Sequence, residues 1–431
     1  MMRALYRQEG AMLDVEVLRE SEVLDFIDAH AAVLDSTFDK VKMSDGMRLS
    51  LQKSDWIFSG MKTFHELHEA FPSLLDEHGE RKPFERFYSD VRKVDETYNR
   101  NYLRAEYNFA TASAEMAAKW EQYERDGDRY YLQYRTVGDS HVREEHAAIN
   151  GTTLPVSHPF WDTHYPPNGW NCRCLVVQVR KSSHEQTSEE ELSKRTKALA
   201  EQQAKSKGKS EMFRFNPGKQ RKVFPDYNPY TIKRCNDCDL AKGKFGKADA
   251  NELCAGCALL RNCMDSAGCI TDKEFGRRLL ISKQADQSEV KLNTEAARIL
   301  LRNFPDMHIK IREHITDGRK NPEYLINGVR ADRKGIESEK GVRNAFRKAK
   351  EQTCKIVVLD LNAHMNRFPL RSKKLAKQIS GRREDFVSGA IIECYILYKE
   401  KATLIMSKDF KNSDTKELNS YLTTIINKSA E

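Results

Sequence analysis

The sequence predicts a multidomain α+β protein, and three observations lead to this fold class. The chain has 431 residues, which is more than one hydrophobic core usually serves. Up to about Glu124 apolar residues recur at three- and four-residue spacing, as in helices, whereas from about Glu289 the pattern becomes strand, helix and strand. Six of the ten cysteines lie between Cys235 and Cys269, which predicts a small zinc-knuckle-like segment between a helical N-terminal domain and a C-terminal α/β domain.

The changes in composition also give the predicted domain boundaries. The long helical stretches are Val15–Leu34 and Phe87–Trp120, and the second carries a predicted packing stripe of Tyr98, Tyr102, Ala105, Phe109 and Ala112. Residues 181–209 are almost all Lys, Glu, Gln, Ser and Ala, which is typical of a solvated helix or a tether. The predicted parts are a helical region (1–124), a compact loop-rich core (125–180), a polar linker (181–234), the cysteine-rich segment (235–270) and the α/β domain (289–431).

Charge and hydropathy indicate which partners the protein could have, nucleic acid or membrane. The net charge of +8 is compatible with a nucleic-acid partner but does not require one, because 64 acidic residues accompany 72 basic ones. The apolar runs are shorter than the roughly 20 residues of a membrane span, and the N-terminal MMRALYRQEGAML has no continuous apolar stretch. We therefore expect no membrane contact and no signal peptide, and reduced cysteines that bind metal.

A specific motif runs from Arg135 to Cys174, RTVGDSHVREEHAAINGTTLPVSHPFWDTHYPPNGWNCRC. Together with WIFSGMKTFHEL (Trp56–Leu67) and YNRNYLRAEYNFATASAEMAAKW (Tyr98–Trp120), it resembles the Mu protein F-type family of phage minor head proteins. The resemblance covers about Asp55–Arg180. It implies a role in head morphogenesis, portal and capsid proteins as partners, and a location in the virion head and the host cytoplasm.

The same motif contains residues that could bind a metal. Asp139, His146, His164, Cys172 and Cys174 could converge only if the proline-rich loop folds back on itself. The alternative, which the sequence favours, is a loop held by Trp161, Trp170 and its hydrogen bonds. Asp139 and Arg143 are four residues apart and could pair at the start of a helix.

The cysteine-rich segment predicts a structural zinc site. Cys235 and Cys238 form one CxxC pair and Cys254 and Cys257 a second, with fifteen residues between the pairs. Each pair offers two thiolates from a tight turn, which is half of a tetrahedral site. Two further cysteines, Cys263 and Cys269, could replace one pair or remain reduced thiols.

The most informative C-terminal stretch is KNPEYLINGVRADRKG, Lys320–Gly335. Asn327-Gly328 predicts a two-residue type I′ hairpin turn, which places Glu323 opposite Asp332. Because side chains alternate along strands, Glu323, Asp332 and Lys334 share one face. Two carboxylates can hold Mg²⁺, and a lysine beside them can orient water, which is the chemical content of the PD-(D/E)xK nuclease motif. The alternative is a surface hairpin with one salt bridge. Arg333 would point to the apolar face in the predicted register, which counts against the pairing of Glu323 with Asp332.

The residues after the hairpin predict a βαβ unit. A helix with Val342, Ala345, Phe346 and Ala349 precedes a buried strand at Lys355–Leu361, and an antiparallel hairpin follows at Ile391–Tyr398 and Thr403–Ser407. After the buried strand comes a predicted phosphate-binding basic patch of His364, Arg367, Arg371, Lys373 and Lys374.

The stretches GRKNPEYLINGVRADRKG and AFRKAKEQTCKIVVLDL resemble the C-terminal tRNase domains of contact-dependent growth-inhibition toxins. The resemblance implies a nuclease that acts on tRNA. Related phage proteins carry barnase-like, colicin-like nuclease domains that need no metal, which would move the chemistry to His314, His364 and Arg367. Three functions stay open: a head protein with an appended nuclease, a structural head protein that binds nucleic acid without cleaving it, and a toxin on a head-protein-like carrier.

Overall fold

The chain forms two compact units, Met1–Ala267 and Gly268–Glu431. The computed structural model describes residues 1–9, 13–205, 211–231, 252–316, 318, 320–362, 371–410 and 415–428. No helix in these ranges has the length and apolar character needed to cross a membrane.

The N-terminal unit is mostly helical. Its described α-helices are α1 (Met2–Arg7), α2 (Ser21–Asp35), α3 (Asp45–Ala70), α4 (Phe84–Glu96), α5 (Leu103–Asp126), α6 (Glu144–Ala148), α7 (Phe160–His164), α8 (Glu189–Lys205), α9 (Pro217–Gln220) and α10 (Glu252–Cys263). Short 3₁₀ segments lie at Val15–Arg19, Ser36–Phe38, Phe71–Leu74, Gly127–Arg129, Glu211–Phe213 and Met264–Ser266.

A small sheet forms where the sequence predicted loop-rich structure. Strands β1 (Tyr131–Arg135), β2 (Thr153–Pro155) and β3 (Leu175–Val179) make an antiparallel sheet in the order β2-β1-β3. The register pairs Tyr134 with Val176, and both side chains are fully buried. The proline and glycine residues that predicted loop-rich structure lie mostly in the connections between these short strands.

The predicted stripe on the long helix is partly wrong, because the helix is not α-helical throughout. A π-helical turn at Thr97–Tyr102 joins α4 to α5 and changes the rotation per residue. Tyr98 and Phe109 are buried as predicted, but Tyr102 is 47% exposed. The buried side of α5 instead carries Glu106, Phe109, Ala110, Ser113, Ala114, Met116, Ala117, Trp120 and Tyr123.

The polar stretch after Arg180 is part of the N-terminal unit and packs into it. It forms α8, as one of the two predicted alternatives, but Leu192 and Leu199 of that helix are buried in the core around the small sheet. Further along, the Tyr230 hydroxyl donates to Glu106 Oε1 at 2.7 Å, and Lys62 Nζ lies 2.6 Å from Glu106 Oε2. The residues to about 231 therefore belong to two hydrophobic cores of this unit, with Leu192 and Leu199 in one and Phe213, Phe215, Phe224 and Tyr230 in the other.

The described residues of the C-terminal unit form an eight-stranded mixed sheet with helices on both faces. Its strands are β4 (Cys269–Asp272), β5 (Gly276–Ser282), β6 (Ile309–Ile311), β7 (Tyr324–Ile326), β8 (Val329–Gly335), β9 (Ile356–Asp360), β10 (Glu393–Tyr398) and β11 (Lys401–Met406), in sequential order across the sheet. The described helices are α11 (Val290–Asn303), α12 (Gly341–Glu351), α13 (Ser372–Ser380), α14 (Arg383–Val387) and α15 (Thr415–Lys428), with a 3₁₀ turn at Ser407–Phe410.

The alternation of side chains divides this unit into two layers of core. Ile356 and Val358 of β9 point to the α11 side, whereas Val357 and Leu359 pack with the other helices. Strands β8 and β9 are parallel with α12 between them, and β10 and β11 form an antiparallel hairpin. Both predictions are confirmed. The predicted start at Glu289 leaves out β4 and β5, which extend the sheet.

Gly218 offers a test of how α9 packs on α5. A Cβ atom at Gly218 would overlap the Cβ and Cγ atoms of the buried Trp120. Gly218→Ala should therefore lower the free energy of unfolding by about 1–3 kcal/mol, as overpacking does. Gly256→Ala in α10 is the control, because its added methyl group would meet Leu18 and Phe64 at ordinary contact distances of 3.6 and 3.7 Å.

All four tryptophans lie in the N-terminal unit, so tryptophan fluorescence during urea unfolding follows that unit alone. We expect a lower midpoint for Gly218→Ala and an unchanged or slightly higher one for Gly256→Ala. A wild-type midpoint for Gly218→Ala would contradict the packing described.

Candidate active site and candidate metal centre

The turn between β7 and β8 fixes the geometry of the C-terminal site. Asn327 and Gly328 have φ angles of +48° and +78°, the left-handed conformations that a type I′ turn requires. The register pairs Ile326 with Val329 and Tyr324 with Ala331, so the next pair along is Glu323 and Asp332. The predicted register is confirmed.

The three predicted residues of the hairpin meet on one face of the sheet. Lys334 Nζ lies 3.0 Å from Asp332 Oδ1 and 3.4 Å from Glu323 Oε1. The Asp332 side chain is fully buried, and the Glu323 side chain is 16% exposed. Asp332 Oδ2 and Glu323 Oε2 are buried and receive no hydrogen bond from any residue that the structure describes. Buried carboxylate oxygens without a donor are costly, so this pair suits a bound cation.

The pKa values of the three groups reflect their burial and the charges they place on one another. Burial raises the pKa of Glu323 to about 7; Lys334 opposes this shift, while Asp332 and Glu289 add to it. Burial also raises the pKa of Asp332. Burial alone would lower the pKa of Lys334, but the two carboxylates outweigh it and raise that pKa. Lys334 is thus a charged ammonium group that compensates the acidic pair.

Arg333 does not conflict with this register. It lies on the opposite face, where its Nε donates to Asp360 Oδ2 at 2.9 Å and its Nη1 to Asn293 Oδ1 at 3.1 Å. The Tyr324 hydroxyl donates to the Asn293 carbonyl at 2.7 Å on the same side. The guanidinium group is therefore paired inside the α11 layer, and the polar face is left to Glu323, Asp332 and Lys334.

Two charged residues that were not predicted as site residues, Arg312 and Glu289, lie near the acidic pair. The Arg312 amide donates to the Glu323 carbonyl at 2.9 Å, which places Arg312, directly after β6, beside Glu323, directly before β7. Its guanidinium group lies 3.4 Å from Glu313 Oε1. Glu289, just before α11, is the second, and its charge raises the pKa of both Glu323 and Asp332. The alternation in Ile309-Lys310-Ile311-Arg312 was the pattern that could have located β6 and its basic face.

The predicted basic patch is described only in part. His364 and Arg367 lie outside the described residues. Arg371, Lys373 and Lys374 lie at the start of α13. His314 Nδ1 lies 3.9 Å from Asp286 Oδ2 at a partly exposed position.

A second cluster forms in the N-terminal unit, where the proline-rich loop does fold back. His146 Nδ1 lies 3.8 Å from Cys172 Sγ and 3.5 Å from Cys174 Sγ, and all three side chains are buried. Their donor atoms lie within 4.8 Å of one another, so the group could hold a metal ion. The interaction between the thiols lowers the pKa of Cys172 and raises that of Cys174.

The other residues of the predicted convergence lie elsewhere. Asp139 pairs with Arg173, not Arg143, at 2.6 and 2.8 Å, because the loop brings Arg173 to it. His164 stacks on Phe160 and contacts its carbonyl oxygen at 3.2 Å. Trp161 is buried and donates to the Pro155 carbonyl at 2.9 Å, so the favoured interpretation of a hydrogen-bonded loop also describes part of this region.

The cysteine-rich segment differs from its predicted local structure. Cys254 and Cys257 lie on α10 rather than in a tight turn, because Leu259 and Leu260 of the same stretch dock as a helix on the N-terminal core. Residues three apart on a helix still share a face. Cys235 and Cys238 lie outside the described residues, so the four-thiolate site remains a prediction.

The two units thus carry chemically different candidate sites. The cluster in the N-terminal unit offers nitrogen and sulfur donors, and the cluster in the C-terminal unit offers carboxylate oxygens beside Lys334 and Arg312. Two family models match the corresponding parts of the chain. Residues 79–177 match the Phage Mu protein F like protein family, and residues 320–400 match the Contact-dependent growth inhibition CdiA C-terminal domain. Both resemblances inferred from the motifs are confirmed.

Two curated proteins are similar to part of the chain. "Putative capsid assembly protein F" of Escherichia phage Mu is 45% identical over 71 residues, which are 16% of this chain and 16% of that protein. The Mu-like prophage FluMu F protein of Haemophilus influenzae is 40% identical over 65 residues, 15% of this chain and 16% of that protein. The match therefore spans about a sixth of the length of these relatives. No solved structure matches the chain.

Proposed function

We propose that this chain is a phage head-morphogenesis protein whose C-terminal unit is a metal-dependent nuclease that acts on tRNA. The observation that carries the nuclease is that Arg312, Glu323 and Asp332 lie side by side across β6, β7 and β8, at or next to the strand ends, with Lys334 bridging the two carboxylates. The match to the Mu F-like family supports the head assignment and the portal and capsid proteins as partners.

Glu323 and Asp332 would hold the divalent cation. Their two unpaired oxygens are the kind of ligand that Mg²⁺ prefers. When bound, the cation would supply Lewis acidity to water and to the scissile phosphate. Lys334 would leave its bridging position between the carboxylates and stabilise the negative charge that develops on the phosphate. Arg312 would bind a neighbouring phosphate and orient the backbone.

A toxin on a head-protein-like carrier is the second candidate function. The match of residues 320–400 to the CdiA C-terminal domain favours it, because that domain belongs to growth-inhibition proteins. The genes beside this one distinguish the two candidates: portal and terminase genes support the head protein, and a small gene for a neutralising partner supports the toxin.

The nuclease is tested with the full chain incubated with tRNA, rRNA and DNA, with and without magnesium. Asp332→Asn keeps the shape of the side chain but removes one charge, so we expect cleavage of tRNA to fall by about a hundredfold or more, the effect of losing a few kcal/mol of transition-state stabilisation. Lys334→Met should retain metal binding and lose rate. Asp306→Asn and Lys355→Met are the matched controls, because both residues are exposed.

Full cleavage in excess EDTA by both wild type and Asp332→Asn, together with loss of cleavage in His364→Ala, would contradict the metal mechanism. It would support the barnase-like alternative. Magnesium-dependent cleavage of DNA with no cleavage of tRNA would support the metal mechanism and show that DNA, not tRNA, is the substrate.

The head assignment predicts that residues 1–267 suffice for incorporation into particles. A chain that ends at Arg180 would lose Phe215, Phe224 and Tyr230 from the core of this unit, so the truncation must end after Ala267. Mass spectrometry of purified particles should detect the 1–267 chain at the wild-type level. A soluble, folded 1–267 chain that is absent from particles would assign assembly to the C-terminal unit.

A further inference from the structure

The cluster of His146, Cys172 and Cys174 has no role in the proposed nuclease and lies in the other unit. His146 lies on α6, and the two cysteines lie in the segment that leads into β3. Two thiolates and one imidazole nitrogen are the donor set that selects zinc among the common divalent ions.

The distances within the cluster fit a tetrahedral ion. With Zn–S of about 2.3 Å and Zn–N of about 2.0 Å, tetrahedral angles place a nitrogen and a sulfur ligand about 3.5 Å apart. His146 Nδ1 lies 3.5 Å from Cys174 Sγ and 3.8 Å from Cys172 Sγ. Both nitrogen–sulfur distances therefore lie within a few tenths of an ångström of the tetrahedral value, and all three donor atoms lie within 4.8 Å of one another.

The other nitrogen of His146 is held as in many metal sites. His146 Nε2 lies 3.3 Å from the Asn168 carbonyl oxygen, to which it would donate a hydrogen bond. The proton is then on Nε2, and the lone pair of Nδ1 faces the two sulfur atoms. The Asn168 side-chain oxygen accepts a hydrogen bond from the Tyr134 hydroxyl at 2.9 Å, which anchors Asn168 to β1. The tautomer that a zinc ligand needs is thus set by the surrounding structure.

We propose that His146 Nδ1, Cys172 Sγ and Cys174 Sγ bind one Zn²⁺ ion, with a water molecule in the fourth position. The cluster opens into a cavity of about 300 Å³, lined also by Val137, His141, Val142, Arg143, Asn171 and Arg173, from which that water can enter. The two thiolates neutralise the charge of the ion. The ion joins α6 to the start of β3, so it closes the proline-rich loop and stabilises the N-terminal unit.

The test measures zinc in the full-length protein, purified under reducing conditions, by mass spectrometry of the metal. Cys172→Ser, Cys174→Ser and His146→Gln should each contain one equivalent less than wild type. Cys354→Ala, which removes a buried thiol from the C-terminal unit, should contain the wild-type amount. Zinc held by the cysteine-rich segment stays in every variant, so the difference isolates this site.

A second measurement uses the wild-type chain and does not depend on the folding of a variant. Chelation of zinc should make Cys172 and Cys174 reactive to an alkylating agent, as mapped on peptides, and added Zn²⁺ should protect them again. Equal zinc content in wild type and all three variants would overturn the proposal. So would unchanged alkylation of both cysteines after chelation.

Discussion

The C-terminal unit depends on the register of one hairpin. Positive φ angles at Asn327 and Gly328 set a two-residue turn, and the register of that turn places Glu323 opposite Asp332. A shift of one residue would move Asp332 into the apolar α11 layer and bring Arg333 to the polar face. The buried pairing of Arg333 with Asp360 opposes such a shift, because it would leave both charges without a partner.

The acidic pair and the His-Cys-Cys cluster show two ways of placing ligands. The hairpin brings Glu323 and Asp332 together through local backbone geometry, so sequence spacing was enough to predict them. His146 and Cys174 are 28 residues apart, and their contact at 3.5 Å depends on the small sheet and the fold-back of the proline-rich loop. No local pattern encodes that closure, and for this reason the sequence left the cluster as one of two alternatives.

The same distinction explains how much of the fold could be predicted. The helical character of the N-terminal region, the βαβ unit and the β10–β11 hairpin follow from patterns within one segment, and the structure confirms them. The two long helices predicted at Val15–Leu34 and Phe87–Trp120 are each interrupted, the first by a 3₁₀ segment at Val15–Arg19 and the second by the π-helical turn. The docking of α8 through Leu192 and Leu199 depends on a surface supplied by distant residues, which composition cannot reveal. The π-helical turn at Thr97–Tyr102 changes which side of α5 is buried, and its sequence carries no periodicity of its own.

The central claim is that Glu323 and Asp332 form a divalent-cation site, and the most direct measurement is anomalous diffraction from crystals of the full chain soaked in Mn²⁺. We expect an anomalous peak between the two carboxylates, within about 2.0–2.6 Å of an oxygen of each, with Lys334 displaced from its bridging position. The same soak of Asp332→Asn should show a weaker peak or none. A wild-type map without a peak at saturating Mn²⁺, in which Lys334 still bridges Glu323 and Asp332, would contradict this account.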